Sequence, residues 1–180
     1  MWDFKQLGIP ELDRNEWGLI ALTTTAVCGS TALLWGYYKK SCKSHQKWWN
    51  EQKKPSWGWL LSNTNVSMLL DSLSFAGIPA AIYFAYKQDT DRKLAAAIAM
   101  VSGGALLACS TLSVPVYMNS KDLQCLSTTS LSLSLTSGTL AVSLYNINRA
   151  AGILILPSFL WCAYCFLVIY GCENINVPLK

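Results

Sequence analysis

The sequence predicts an all-α membrane protein, a bundle of five transmembrane helices. Apolar residues make up 52% of the 180 residues and charged residues only 13%, so a soluble domain of this size would lack the polar surface to cover itself. Apolar segments of about 20 residues, the length that crosses a bilayer, flank a lysine-rich segment. We therefore expect one transmembrane domain over residues 1–180, with spans at about 17–38, 68–86, 94–117, 123–145 and 150–170.

The first span follows a short N-terminus of mixed charge that lacks the order of a cleaved signal peptide, so we expect this span to remain as an anchor. Trp17 and Tyr38 bracket it as interfacial aromatic residues. The sequence holds seven cysteines, an odd number, and most of them fall inside apolar runs. We interpret these as small buried hydrophobes and not as a disulfide framework.

The lysine-rich segment, residues 38–57, separates the first two spans. It carries six lysines, one acid and one histidine, His45, interleaved with Trp48, Trp49 and Trp57. Six lysines also suit a nucleic-acid patch or a solvated loop, but Trp beside Lys is typical of a chain leaving hydrocarbon for lipid headgroups. We therefore expect the lipid bilayer, and not nucleic acid, as the partner of this segment, and a solvated role for His45.

The second span contains an acid and a proline. Asp71 has two interpretations: a functional intramembrane carboxylate, or, as we favour from the sequence, a group near the span's end that reaches interfacial water. Pro79 should kink the helix, and neighbouring helices must then satisfy the backbone carbonyls it frees.

The third span carries small residues four apart, which let a second helix approach closely. We predict that Ala99, Gly103 and Gly104 form a contact with a second copy of the chain, a homodimer.

The fourth span is rich in serine and leucine, and Ser127, Ser130, Ser134 and Ser137 share one helical face. Alternating Ser and Leu would suggest a strand in a soluble protein, but an unpaired strand edge is not viable inside a membrane. In the fifth span, Cys162 and Cys165 share a face without a nearby histidine, and we expect no metal or redox chemistry from them.

The orientation follows from charge. Six basic residues fall on the N-terminal side of a five-span topology and eight on the other, where the short first loop concentrates its lysines. Because positive loops face the cytosol, we expect a cytosolic C-terminus.

Two segments carry a family resemblance. Residues 48–57, WWNEQKKPSW, resemble the signature after the first helix of the translocator protein family, also called tryptophan-rich sensory or peripheral-type benzodiazepine receptor proteins. Residues 148–164, NRAAGILILPSFLWCAY, are similar to its fifth helix. The chain departs from the family after Trp57 and at residues 110–115, where a Trp- and Pro-rich motif is replaced by STLSVP, and it has Asn174 in place of a basic residue in a cholesterol-associated pattern.

The resemblance implies a divergent member whose helical bundle binds a planar apolar ligand, a porphyrin, heme or a sterol, for transport or sensing. It also implies the mitochondrial outer membrane and no obligatory cofactor. The implied ligand-binding residues are Trp48, Trp49, Pro55, Trp57, Pro115, Trp161 and Tyr170.

No catalytic constellation is evident in the sequence, since the serines of the fourth span lack a histidine or paired acid. A ligand-binding protein is therefore the first hypothesis. The alternatives are a structural or assembly protein that has lost its pocket, and porphyrin-degrading chemistry of the kind proposed within the family.

Overall fold

The structure is a computed structural model. It describes residues 8–88 and 93–176, except for the side chains of residues 93–96, 98, 99 and 118. Every regular element in this part of the chain is helical, which confirms the all-α prediction. The helices are α1 (Arg14–Ser41), α2 (Lys43–Glu51), a 3₁₀ turn (Ser56–Gly58), α3 (Trp59–Ser62), α4 (Thr64–Ser74), α5 (Ile78–Gln88), α6 (Lys93–Asn119), α7 (Leu123–Ile147) and α8 (Arg149–Asn176).

Four segments among the described residues are both long and apolar enough to cross a membrane. They are α1, the pair α4 and α5 taken together, Met100–Tyr117 of α6, and α8. The fourth predicted span, α7, has 25 residues, which is long enough, but its many serines and threonines make it less apolar than the other four. The chain is therefore a helical membrane protein with four clearly apolar spans.

The N-terminus of α1 is fixed by a capping box. The backbone N–H of Glu16 donates to Asp13 Oδ1 at 2.8 Å, and that of Asp13 donates to Glu16 Oε2 at 2.7 Å, which satisfies two of the free donors at a helix start. The same Glu16 carboxylate accepts from the Tyr83 hydroxyl at 2.7 Å and pairs with Lys87 at 2.5 Å. These contacts tie α1 to the end of α5.

The second predicted span is interrupted between α4 and α5, next to Pro79. Because proline has no N–H, the carbonyl of Phe75 accepts instead from the N–H of Ile78 at 3.2 Å. This leaves the carbonyl of Ser74 free, and the Ser158 hydroxyl of α8 donates to it at 2.6 Å. The break and its repair by a neighbouring helix follow the prediction for Pro79.

The hairpin of α7 and α8 is closely packed through small residues. All four serines of the predicted face, Ser127, Ser130, Ser134 and Ser137, are buried. A side chain at Gly152 would come within 2.5 Å of Tyr145 Cβ. The serine face therefore packs inside the bundle, while leucines such as Leu135 lie on its outer surface.

The described ends of the chain lie at opposite ends of the bundle. At one end, Asn148 donates to the carbonyl of Gly8 at 2.6 Å and also contacts Gln88. At the other end, Asn176 accepts from the backbone N–H of Lys53 at 3.1 Å. The first loop, with α2, therefore lies at the same end as the C-terminus of α8.

The seven cysteines are all unpaired in the structure. Cys162 is buried, as predicted, but Cys109 and Cys125 are exposed on the outside of the bundle. Treating these two as buried hydrophobes was wrong, because an apolar run inside a membrane faces lipid as well as protein and its composition does not distinguish the two.

Candidate functional site

An internal cavity lies at the end of the bundle that α2 covers. About 90 Å³ of it is open to the centre of a water molecule, which is room for several waters. Its walls come from α1, α2, α4, α6, α7 and α8, and aromatic rings make up a large share of them. The aromatic lining residues are Trp35, Trp49, Phe75, Tyr117 and Trp161.

Asp71 is the acid in this cavity wall. The indole N–H of Trp35 donates to its Oδ2 at 2.9 Å, and the indole N–H of Trp161 donates to its Oδ1 at 3.0 Å. A buried carboxylate needs such donors, since an unpaired one would be strongly unfavourable. Asp71 thus joins α1, α4 and α8 at the cavity.

The interfacial-water interpretation of Asp71 was wrong. Helix α4 begins at Thr64, earlier than the predicted start near residue 68, so Asp71 lies about two turns inside the helix. The polar residues Asn63, Thr64 and Ser67 start this helix well, because the Asn63 side chain accepts from the first backbone N–H groups. Their polarity concealed the true start of the helix in the sequence.

His45 also lines the cavity, so the prediction of a solvated histidine was wrong. It is only 7% exposed, and its Nε2 has no hydrogen-bond partner among the residues that the structure describes. Burial lowers the pKa of the imidazole, opposed by a hydrogen bond to the backbone carbonyl of Ser120. Helix α2 turns its lysines outward while His45, Gln46 and Trp49 line the cavity, a helical periodicity that the charge pattern alone did not reveal.

The family profile described as TspO/MBR family matches residues 21–174. This chain belongs to the TspO/MBR family. The match covers every wall of the cavity and confirms the family suggested by the sequence. No protein in a curated set of characterised proteins matches the chain.

In this TspO/MBR protein, two of the seven predicted ligand-binding residues line the cavity together. Trp49 lies in the α2 cap, where its indole N–H donates to the carbonyl of Leu61 at 3.1 Å and Lys54 lies 4.9 Å above its ring. Trp161 lies on α8, and its indole N–H donates to Asp71. Both positions carry large aromatic area into the cavity.

The other predicted residues lie elsewhere. Trp48 lines a separate surface groove with Lys121 and Glu173. Trp57 is 47% exposed, and its carbonyl accepts from the Tyr164 hydroxyl at 3.0 Å, so this part of the loop packs along α8.

Pro55, like Trp57, packs along α8, because a side chain placed on Gly171 of α8 would lie 3.2 Å from the Pro55 ring. Tyr170 is exposed and stacks on Phe166 of its own helix. Pro115 lies inside α6, between the lining residues Val114 and Tyr117, and is not itself in the cavity wall.

The predicted dimer face is divided by the fold. Gly103 is buried, and a side chain there would come within 2.3 Å of Ile82 on α5, so its close helix contact is made within the chain. Gly104 is exposed, with nothing within 4 Å of a side chain placed there. Ala99 lies outside the described side chains.

Sequence analysis missed several cavity residues of this TspO/MBR protein, above all Trp35. A signal was present: Thr24, Cys28, Thr31 and Trp35 are spaced four, three and four apart on α1, which places them on one helical face. Thr24 and Cys28 donate to backbone carbonyls at the end of α4, at 3.4 Å each. A polar stripe of this kind in an apolar helix indicates the face that packs against protein.

Tyr117 was missed for a similar reason, because nothing around it in the sequence marks it as internal. Its hydroxyl hydrogen-bonds with Ser130 of the serine face.

No group of three or more His, Cys, Asp or Glu side chains within the described part of the chain could hold a metal ion. The site therefore offers aromatic surface, one carboxylate and one imidazole, which suits binding.

Proposed function

We propose that this TspO/MBR protein binds a planar apolar ligand, a porphyrin, heme or a sterol, in the cavity beneath α2, for transport or sensing and not for catalysis. The observation that carries the proposal is the set of five aromatic rings, contributed by different elements, around one internal cavity. Aromatic rings bind flat apolar ligands through burial and stacking, with about 0.5 to 1.5 kcal/mol from each well-placed ring beyond burial alone.

The cavity must widen to admit such a ligand, because its present space suits water. Helix α2 is the wall best suited to move, since it is a short polar helix at the end of the bundle and not part of an apolar span. We propose that α2 acts as the lid of the site, with Trp49 as its inner surface.

The same proposal includes five spans, in which α7 adds one to the four clearly apolar spans, and the mitochondrial outer membrane with a cytosolic C-terminus. The opposite ends reached by Gly8 and Asn176 support an odd number of crossings. The buried serine face supports α7 as an internal helix whose hydroxyls bond to its own backbone, as at Ser137 to the carbonyl of Leu133, 2.8 Å away. The family resemblance supports the organelle.

The test is equilibrium binding of protoporphyrin and of cholesterol to the purified protein in detergent, with Trp161→Ala as the variant. Removing this ring should weaken binding about tenfold, since 1.4 kcal/mol corresponds to one decade. Trp17→Ala is the matched control, because Trp17 is exposed at the other end of α1 and its loss should leave affinity unchanged.

Absence of saturable binding at micromolar concentration would reject the proposal in favour of a structural or assembly protein. Loss of porphyrin absorbance over time in the same titration would instead favour the degradative chemistry.

A further inference from the structure

The charges around the cavity are unbalanced. Asp71 is an acid among the lining residues, and within the part of the chain that the structure describes no lysine or arginine is in the wall. His45, the basic group in the wall, is held toward its neutral form, since burial lowers its pKa. Lys54, beside the cap, already donates to the backbone carbonyls of Trp49 and Gln52 at 2.5 and 3.2 Å. A carboxylate inside the cavity would therefore meet an acid, and no lysine or arginine among the described residues of the wall.

The wall also offers more unused hydrogen-bond acceptors than unused donors. Each oxygen of Asp71 accepts one indole N–H, and a carboxylate oxygen can accept a second donor. A neutral imidazole has one acceptor nitrogen, and the buried Nε2 of His45 has no hydrogen-bond partner among the described residues. Gln46 adds one unpartnered amide donor. An occupant with N–H groups would satisfy Asp71 and His45 together.

The rings beside the carboxylate favour the same kind of occupant. Trp35 and Trp161 approach Asp71 from different helices, and Trp161 stacks on Tyr164 with centroids 5.7 Å apart. The negative faces of indole rings attract cations, most strongly where water is excluded. A flat cation in this cavity would thus gain from the carboxylate and from the rings that hold it.

We infer that the cavity selects planar ligands that carry a protonated nitrogen or clustered N–H donors, with Asp71 as the group that recognises them. This inference rests on the proposed function and specifies its ligand class. A porphyrin meets the requirement through its ring N–H groups and keeps its carboxylates outside the cavity.

The test uses three flat tricyclic probes of similar size, measured by fluorescence with the purified full-length protein in a non-ionic detergent at neutral pH. They are 9-aminoacridine, a cation, anthracene, which is neutral, and anthracene-9-carboxylate, an anion. The unmodified protein should bind the cation at least about tenfold more tightly than the anion, a difference of about 1.4 kcal/mol.

The variant Asp71→Asn keeps the size of the side chain and removes its charge. It should remove the preference for the cation, measured as the ratio of cation to anion affinity within the same variant. Glu51→Gln is the matched control, since it removes an exposed acid from α2 and should keep the preference.

Equal binding of the three probes by the unmodified protein would overturn the inference and leave the proposed function standing. Persistence of the preference in Asp71→Asn would also overturn it. Failure of all three probes to bind would reject the inference and the proposed function together. If Asp71→Asn does not fold, the ranking of the probes by the unmodified protein decides.

Discussion

At the scale of single residues, the carboxylate of Asp71 is the group on which the cavity depends most. It lies inside the bundle and accepts one hydrogen bond from α1 and one from α8. An interior carboxylate with one donor on each oxygen fixes the positions of those donors, whereas removal of one donor leaves that oxygen without a partner. Asp71 therefore orders the rings that form the binding surface.

The first prediction concerns this contact. Trp35→Phe keeps an aromatic ring but removes the donor to Asp71 Oδ2, and it should reduce the free energy of unfolding by about 1 to 3 kcal/mol. Thermal unfolding in detergent measures the change. Trp59→Phe is the control, since Trp59 is exposed at 65% and should unfold as the unmodified protein does. Equal stability of the Trp35 and Trp59 variants would contradict a structural role for the indole.

The second prediction concerns pH and His45. Its pKa is lowered in the folded protein by burial, so below about pH 6.5, the ordinary histidine value, the unfolded state binds more protons than the folded state. Stability is then fully present above that pH and falls as the pH drops toward the folded pKa.

Thermal unfolding measured from about pH 6.5 downward should show a loss of stability in the unmodified protein and a smaller loss in His45→Gln. Its magnitude is about 1.4 kcal/mol for each unit by which the pKa is lowered. Parallel curves for the two proteins would show that His45 stays solvated in solution.

At the scale of elements, small residues decide which helices touch. Gly103 lets α5 approach α6 closely, and Gly152 lets α7 approach α8. A side chain placed on Gly77 would come within 2.3 Å of the Leu154 carbonyl. In a membrane, close packing is the main force between helices because lipid is as apolar as the side chains it replaces. Neighbouring glycines can therefore differ in role: Gly103 makes a helix contact inside the bundle, whereas Gly104 lies on the outer surface.

The third prediction uses that difference. Gly103→Leu should disrupt the packing of α6 on α5 and lower the unfolding temperature, because the new side chain would overlap Ile82. Gly104→Leu should fold normally, and if the exposed face of α6 joins two copies it should reduce the cross-linked dimer. A dimer fraction unchanged by Gly104→Leu would mean that this face meets lipid alone.

At the scale of the whole molecule, the two ends of the bundle differ in chemistry. One end holds the Glu16 and Lys87 pair, and the other carries the lysine-rich first loop, the cap and the cavity beneath it. A ligand would thus enter from the side of the membrane that the loop faces. The positive-inside rule predicts that this side is the cytosol.

The fourth prediction tests this orientation. In a cysteine-free background, Lys43→Cys places a thiol on the exposed surface of α2, and Asn15→Cys places one at the start of α1. In cells with a permeabilised plasma membrane, a maleimide-polyethylene glycol too large to cross the organelle membrane should label the first and not the second. Both variants should react after detergent solubilisation. Labelling of Asn15→Cys and not of Lys43→Cys in intact organelles would show that the protein has the opposite orientation.

The sequence by itself determined the class, the family and the approximate positions of the long helices. Long apolar runs, few charges and the lysine and tryptophan segment are properties of composition and order, and they do not depend on which helices meet. The break at Pro79 and the inward face of the α7 serines were predictable for the same reason. Each follows from local backbone chemistry or from the period of one helix.

The tertiary structure alone decided which residues form the site. Trp35 and Asp71 are 36 residues apart and Asp71 and Trp161 are 90 apart, so no local pattern joins them. The inward turn of His45 and the exposure of Trp57, Tyr170 and Cys125 depend equally on the rotation of each helix against its neighbours. In a membrane both faces of a helix can be apolar, so hydrophobicity does not set that rotation, and packing between helices does.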